Sequence, residues 1–251
     1  MFLLKVDYGK CREVVICLNN HFQNNDAAVI EYPSNIPYQS DEYFLYMFYS
    51  CLLDYGMRSS LYHKNLSNTY LKYPNIFSPK EVLKMTENEL SNIIVSNIHP
   101  RYPNVALKKW IALSNELIKY DSISNVLGQM KSFDELSLFI RSISGYGQKT
   151  GGLLIRIIYD SSICSFEDKI KAIPIDRHDI EISYLTGVID SKKVNEKDIQ
   201  LLSDSYVRVG EELNISASDI DKYLWEIGNS FCNKKNCLVC PLSNICKRRD
   251  L

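Results

Sequence analysis

Cys232, Cys237, Cys240 and Cys246 lie within the closing stretch FCNKKNCLVCPLSNIC, spaced C-x4-C-x2-C-x5-C. Packing does not account for four thiols so close together in sequence. Four thiolates at such spacing can wrap one metal centre, and the spacing admits either zinc or an iron–sulfur cluster. The run differs from that of ferredoxins, which argues against an electron carrier. A second constellation is ISGYGQKTGG, residues 143–152. Here a helix rich in apolar residues ends near Ile143, Gly145 and Gly147 permit a tight turn, and a new helix begins at once. The first turn of that helix exposes backbone N–H groups that can hold a phosphate. Lys149 falls in the same turn. The positive end of a helix dipole disfavours an ammonium there and favours a neutral, nucleophilic amine able to form a Schiff base. A third segment, IPIDRHDIEISYLTGV at 173–188, places Asp176 at a helix start, where an aspartate also serves as an ordinary N-cap.

The elements around these residues read as helical. Residues 41–55 are apolar nearly all round behind Asp41 and Glu42, as in a buried central helix. Ser78-Pro79 marks a helix start, and Thr86 to Glu89 has the spacing of a capping box. Apolar residues recur on one helical face at Leu107, Trp110, Ile111, Leu117 and Ile118, and again at Phe133, Leu136, Phe139, Ile140 and Ile143. Further helices are expected at about 148–159, 177–187, 196–209 and 217–230. Only Val29-Ile30 hints at extended chain. A polar stretch at 161–171 separates the hairpin region from the segment that carries Asp176.

Composition narrows the class. The 251 residues are 45% hydrophobic and 24% charged, which fits a folded globular chain of one large domain or two modest ones. The longest apolar run, 43–53, is too short to span a bilayer. MFLLKVDYGK carries no secretory signal pattern, so the protein is expected inside the cell and its eight cysteines are not expected to form disulfides. Cys11, Cys17, Cys51 and Cys164 then read as small buried hydrophobes. A net charge of -1 argues against nonspecific DNA coating, while leaving room for local basic groups at Lys108-Lys109, Lys192-Lys193 and Lys247-Arg248-Arg249.

The order GYGQKTGG, then D-x-H, then four cysteines resembles the endonuclease III-like family of helix-hairpin-helix DNA glycosylases, over residues 41–251. The resemblance implies an all-α, two-lobed fold. A six-helix domain with the hairpin would span 41–160. Residues 1–40 and 161–251 would form the second lobe, carrying a [4Fe–4S] loop at 232–246, with zinc the alternative. Lys149 would be the nucleophile and Asp176 its catalytic carboxylate, facing one another across a DNA cleft; His178 is read as structural. Gly145, Tyr146, Gly147, Gln148 and Thr150 would meet DNA. From position alone, Met57, Arg58 and Tyr102 are candidates to fill the gap left by a flipped nucleotide, the alternative for Met57 and Tyr102 being packing in the core or its rim. The implied partner is duplex DNA with a damaged, modified or abasic nucleotide. The protein would be a monomer, cytoplasmic and nucleoid-associated in a prokaryote. The implied activity is a glycosylase with AP-lyase activity; the rivals are a monofunctional glycosylase, a noncatalytic DNA-binding protein of the same fold, and a zinc-stabilised scaffold. The chain departs from the family pattern in four ways. Four residues rather than six separate the first two cysteines. Lys149 and Asp176 are further apart in sequence. The hairpin opens Ile143-Ser144 rather than Leu-Pro. LLDYGMRSS, 52–60, lacks the glutamine that usually follows the first core helix.

Overall fold

The computed structural model describes residues 4–23, 32–55, 59–166 and 169–250. The chain divides into two compact units: Ile30–Asp168, and Met1–Val29 together with Lys169–Leu251. Among the described residues the only β pairing is an isolated bridge between Val6 and Ile189, and everything else regular is helical. The extended hint at Val29-Ile30 lies outside the described residues.

The first helix, α1 (Tyr8–Phe22), belongs to the unit made from the chain ends. Asp7 caps it by accepting from the Lys10 N–H, and it buries Cys11, Val14, Val15, Leu18 and Phe22. The central unit begins with α2 (Asp41–Leu52), whose Ser40 cap accepts from Tyr43 N–H. Nine of its twelve residues, Tyr43, Phe44 and Tyr46 to Leu52, are buried, so it is the axis of that unit. Ridges of aromatic side chains pack against it. Tyr49 stacks on Trp110 with centroids 4.7 Å apart, and Trp110 Nε1 donates to the Ile76 carbonyl at 2.7 Å, so the buried indole is satisfied. Next come α3 (Ser59–Lys72), α4 (Pro79–Val82) and α5 (Glu87–Ile93), the last opened by a complete capping box between Thr86 and Glu89. They are followed by α6 (Pro103–Leu117), α7 (Ile123–Gly128), α8 (Phe133–Ser142) and α9 (Gln148–Asp160). Asp41, expected only as a helix-start charge, also accepts from Ser124 N–H at 2.7 Å and so ties the start of α7 to α2.

The second unit resumes with α10 (Arg177–Thr186), α11 (Glu196–Leu213) and α12 (Ala217–Glu226). The expected helix at 217–230 changes winding: after Glu226 the chain continues as a π-helical turn, Ile227–Cys232, delivering Cys232. Gly228 in that turn explains how closely it approaches α10, since an added Cβ would lie 2.9 Å from His178 Cβ. All eight cysteines are free thiols; Cys11 and Cys51 are buried, whereas Cys17 and Cys164 are only half-buried.

Candidate active site and thiol cage

In the central unit, α8 ends at Ser142 and α9 begins at Gln148, so a helix–turn–helix hairpin spans the expected residues. Only one of its two glycines needs to be glycine. Gly145 adopts φ +106°, and a Cβ there would sit 2.9 Å from Leu52 Cδ1. Gly147 has φ -88° and ψ -165°, ordinary extended backbone, and a Cβ on it would meet no atom of the described residues within 4 Å. Thr150 staples the turn: its Oγ1 accepts from Gly147 N–H at 3.3 Å and donates to the Gly145 carbonyl at 3.4 Å. Tyr146 does not point outward. Its ring is buried against Phe48 and its hydroxyl donates to the Phe48 carbonyl, so its side chain anchors the hairpin to α2 rather than meeting DNA. Gln148 is half-buried.

Lys149 is half-buried in the first turn of α9, and its Nζ donates to the backbone carbonyl of Asp54 at 3.1 Å. Sequence reading overlooked Asp54. It is 4% exposed, Ser59 Oγ donates to its Oδ2 at 3.3 Å, and His63 Nε2 lies 3.5 Å from the same oxygen. Burial pushes the Asp54 carboxyl upward. His63 beside it, the Lys149 charge and the Ser59 hydroxyl outweigh that, and the group sits below its ordinary value, ionised. A carboxylate closing so apolar a run as YFLYMFYSCLLD was the available signal.

Near the same hairpin, Lys109 Nζ lies 4.5 Å from the Tyr55 ring centroid and 3.5 Å from the Gly145 carbonyl. Burial lowers the pKa of Lys109. Leu53, Tyr55, Pro100, Arg101, Tyr102 and Ala106 line a shallow crevice open to solvent. Tyr102 is 49% exposed there, with the Arg101 guanidinium 5.3 Å from its ring centroid. Met57 and Arg58 lie outside the described residues.

In the other unit Asp176 is the N-cap of α10: its Oδ1 accepts from the N–H groups of His178 (2.6 Å) and Asp179 (3.3 Å). Asp179 closes the box, accepting from Asp176 N–H at 2.7 Å. Burial, reinforced by the charges of Asp176 and Asp221, holds the Asp179 carboxyl well above the usual carboxylate range.

Cys232, Cys237, Cys240 and Cys246 line one partly open pocket with Leu185, Phe231, Ser243 and Arg248. No three His, Cys, Asp or Glu side chains among the described residues converge as a single-ion site. Burial, and then the neighbouring thiols, push Cys232 up to about 11. Four thiolates in this cage therefore need a cationic centre to hold them together. Four cysteine sulfurs are a donor set that suits zinc or an iron–sulfur centre. Of the adjoining basic groups, Lys247 Nζ sits 5.2 Å from the Tyr184 ring centroid and Arg248 reaches Glu181 at 4.0 Å.

Solved structures with the same architecture decide the fold. An endonuclease III trapped as a covalent DNA intermediate matches with a TM-score of 0.66 and 17% identity, over 98% of this chain and 99% of that one. The chain has the helix-hairpin-helix DNA glycosylase fold. A thermostable thymine-DNA glycosylase shares it (TM-score 0.63, 16% identity, 97% of this chain and 99% of that one), as does the 8-oxoguanine DNA glycosylase of Methanocaldococcus jannaschii (0.56, 16%, 89% and 94%). No protein-family model and no curated protein matches the sequence itself. The glycosylase fold is thus legible here in the helix order and the hairpin at a level of identity where sequence comparison is silent.

Proposed function

We propose that this chain is a DNA base-excision glycosylase with AP-lyase activity, acting on duplex DNA that carries a damaged, modified or abasic nucleotide. The reading is of a monomer working inside the cell. The observation that carries it is an amine at the start of the second hairpin helix of a glycosylase fold: Lys149, directly behind the Gly145 turn. The face of Gly147, clear of other atoms among the described residues, lets a phosphate approach the hairpin backbone. A base must leave the stack to be excised, and the exposed Tyr102 beside its crevice suits it to fill the gap.

In the proposed reaction the lone pair of Lys149 Nζ attacks C1′. The N-glycosidic bond breaks, its electrons leaving with the base, which takes up a proton. The nitrogen gives a proton to Asp176, whose charge also stabilises the sugar cation on the way. The C1′–O4′ bond then breaks to give an iminium at C1′, O4′ taking the proton held by Asp176. Water removes the C2′ proton, and the C3′–O bond breaks to expel the 3′ phosphate, cutting the strand. Asp176 keeps its capping role throughout, because a carboxylate has lone pairs for both purposes.

The four cysteines would hold a [4Fe–4S] cluster, which would order the loop between Cys232 and Cys246. Purified protein should then absorb near roughly 400 nm and carry iron, and Cys240→Ser should lose both. A colourless protein containing one zinc would refute the cluster. For the chemistry, borohydride should trap a covalent adduct between wild type and abasic duplex, and Lys149→Ala should abolish it. Base release by Lys149→Ala at the wild-type rate would instead assign the attack to water.

A further inference from the structure

Beneath Lys149 the central unit buries polar groups that the proposed reaction leaves unused. Among the described residues, Asp54 Oδ1 and both ring nitrogens of His63 have no hydrogen-bond partner, although the two residues are 4% and 8% exposed. Native cores rarely leave such atoms unsatisfied, and apolar side chains of similar size would be more stable there. The cluster is not isolated from the hairpin. The Asp54 carbonyl accepts directly from Lys149 Nζ at 3.1 Å, and its carboxylate and the lysine act on one another through their charges. The Cys51 thiol, fully buried one turn earlier, feels Asp54 on one side and the cations Arg156 and Lys149 on the other.

We propose that Asp54, clamped by Ser59 and His63, is a positioning residue for Lys149: its carbonyl aims the amine and its buried carboxylate is the fixed counter-charge to the lysine nitrogen while that nitrogen is cationic. The nitrogen is positive immediately after it attacks C1′ and again in the iminium. An anion fixed in a low-dielectric setting lowers the energy of those states without reorganising; it favours the resting ammonium as well, so rates are compared on the alkaline plateau, where the free amine is already neutral. Ser59 donates a hydrogen bond to Oδ2, and His63 Nε2 lies 3.5 Å from the same oxygen, which together orient the carboxylate. No bond to Asp54 forms or breaks, and it takes no proton in the cycle.

This rests on the reading of Lys149 as the nucleophile, and the test separates the two. Single-turnover borohydride trapping on an abasic duplex gives the rate. Affinity for a duplex with a non-reactive tetrahydrofuran site gives binding. Asp54→Asn and Asp54→Ala should each slow trapping by roughly tenfold or more, with affinity changed less than about threefold. His63→Gln should slow it by a smaller factor. A purely structural role predicts a different pattern: Asn, which keeps shape and hydrogen-bonding atoms, would trap at the wild-type rate and only Ala would be slow. That result, or wild-type rates in both, overturns the proposal while Lys149 stands. Failure of wild type to trap, or trapping that persists in Lys149→Ala, overturns the nucleophile and this proposal with it. Should Asp54→Ala fail to fold, Asp54→Asn and Ser59→Ala carry the comparison, with thermal melts confirming that each is folded.

Discussion

The two hairpin glycines should separate stability from binding. Gly145→Ala forces an L-residue to φ +106°, which costs on the order of 1–3 kcal/mol. Its new Cβ also arrives 2.9 Å from Leu52 Cδ1, the end of a side chain fully buried in the core, and overpacking of that kind adds about 1–3 kcal/mol. The total, about 2–4 kcal/mol after partial relaxation of Leu52, corresponds to a drop in Tm of roughly 5–15 °C for a chain of this size. Gly147→Ala faces neither term: its φ is -88° and its Cβ would meet no atom of the described residues within 4 Å. It should cost about 1 kcal/mol or less, as a poorer N-cap. Its methyl group would, however, fill the space through which a phosphate reaches the hairpin N–H groups. Losing one charge-assisted hydrogen bond of about 1.5–3 kcal/mol weakens binding by roughly tenfold or more. Calorimetric melting and fluorescence-anisotropy titration of an abasic-analogue duplex, run on both variants, make the comparison. If Gly145→Ala melts with wild type, the turn is not held as described. If Gly147→Ala binds like wild type, phosphate does not sit on the hairpin backbone.

Two buried carboxylates should shape the pH dependence of stability in opposite directions. Asp54 sits below its ordinary value of 3.8, so its stabilisation is present above that pH and is lost as pH falls through its lower folded-state value; Asp54→Asn should remove that acid-side loss in urea melts. Asp179 sits well above 3.8, so its contribution is full below that value and is lost as pH rises through the folded-state value. Asp179→Asn keeps the acceptor for Asp176 N–H and should flatten the alkaline fall; an unchanged profile would refute the assignment. Gly228→Ala should destabilise by about 1–3 kcal/mol, because its Cβ would meet His178 at 2.9 Å, at the junction of α10 and the turn delivering Cys232. A wild-type melt for Gly228→Ala would show that the junction yields freely.

Much of the helical frame is legible along the chain because its signals are local. The capping box at Thr86, the apolar stripe from Leu107 to Leu117 and the glycine turn before Lys149 each act within a few residues, and each helix stands where its signal is. Local signals were weaker for α3, whose first turn SSLY opens on two serines and whose buried stripe of Tyr62, Leu66, Thr69 and Tyr70 is interleaved with polar residues, and for the π-helical turn at Ile227–Cys232, where the chain passes close to His178.

What the sequence by itself determined is therefore most of the helices from α2 onward, the hairpin with its lysine, and four cysteines within one loop. Side-chain direction was decided by tertiary packing. Tyr146, one residue from an exposed glycine, turns inward because α2 offers both a ring and a carbonyl to receive it. Gly147 lost its apparent need for positive φ because the turn is made at Gly145 alone. Asp54 meets both His63, nine residues away, and Lys149 only when the ends of α2, α3 and α9 come together. Burial makes that carboxylate matter, since a charge kept out of water acts on the nearby amine far more strongly than the same charge would in solvent.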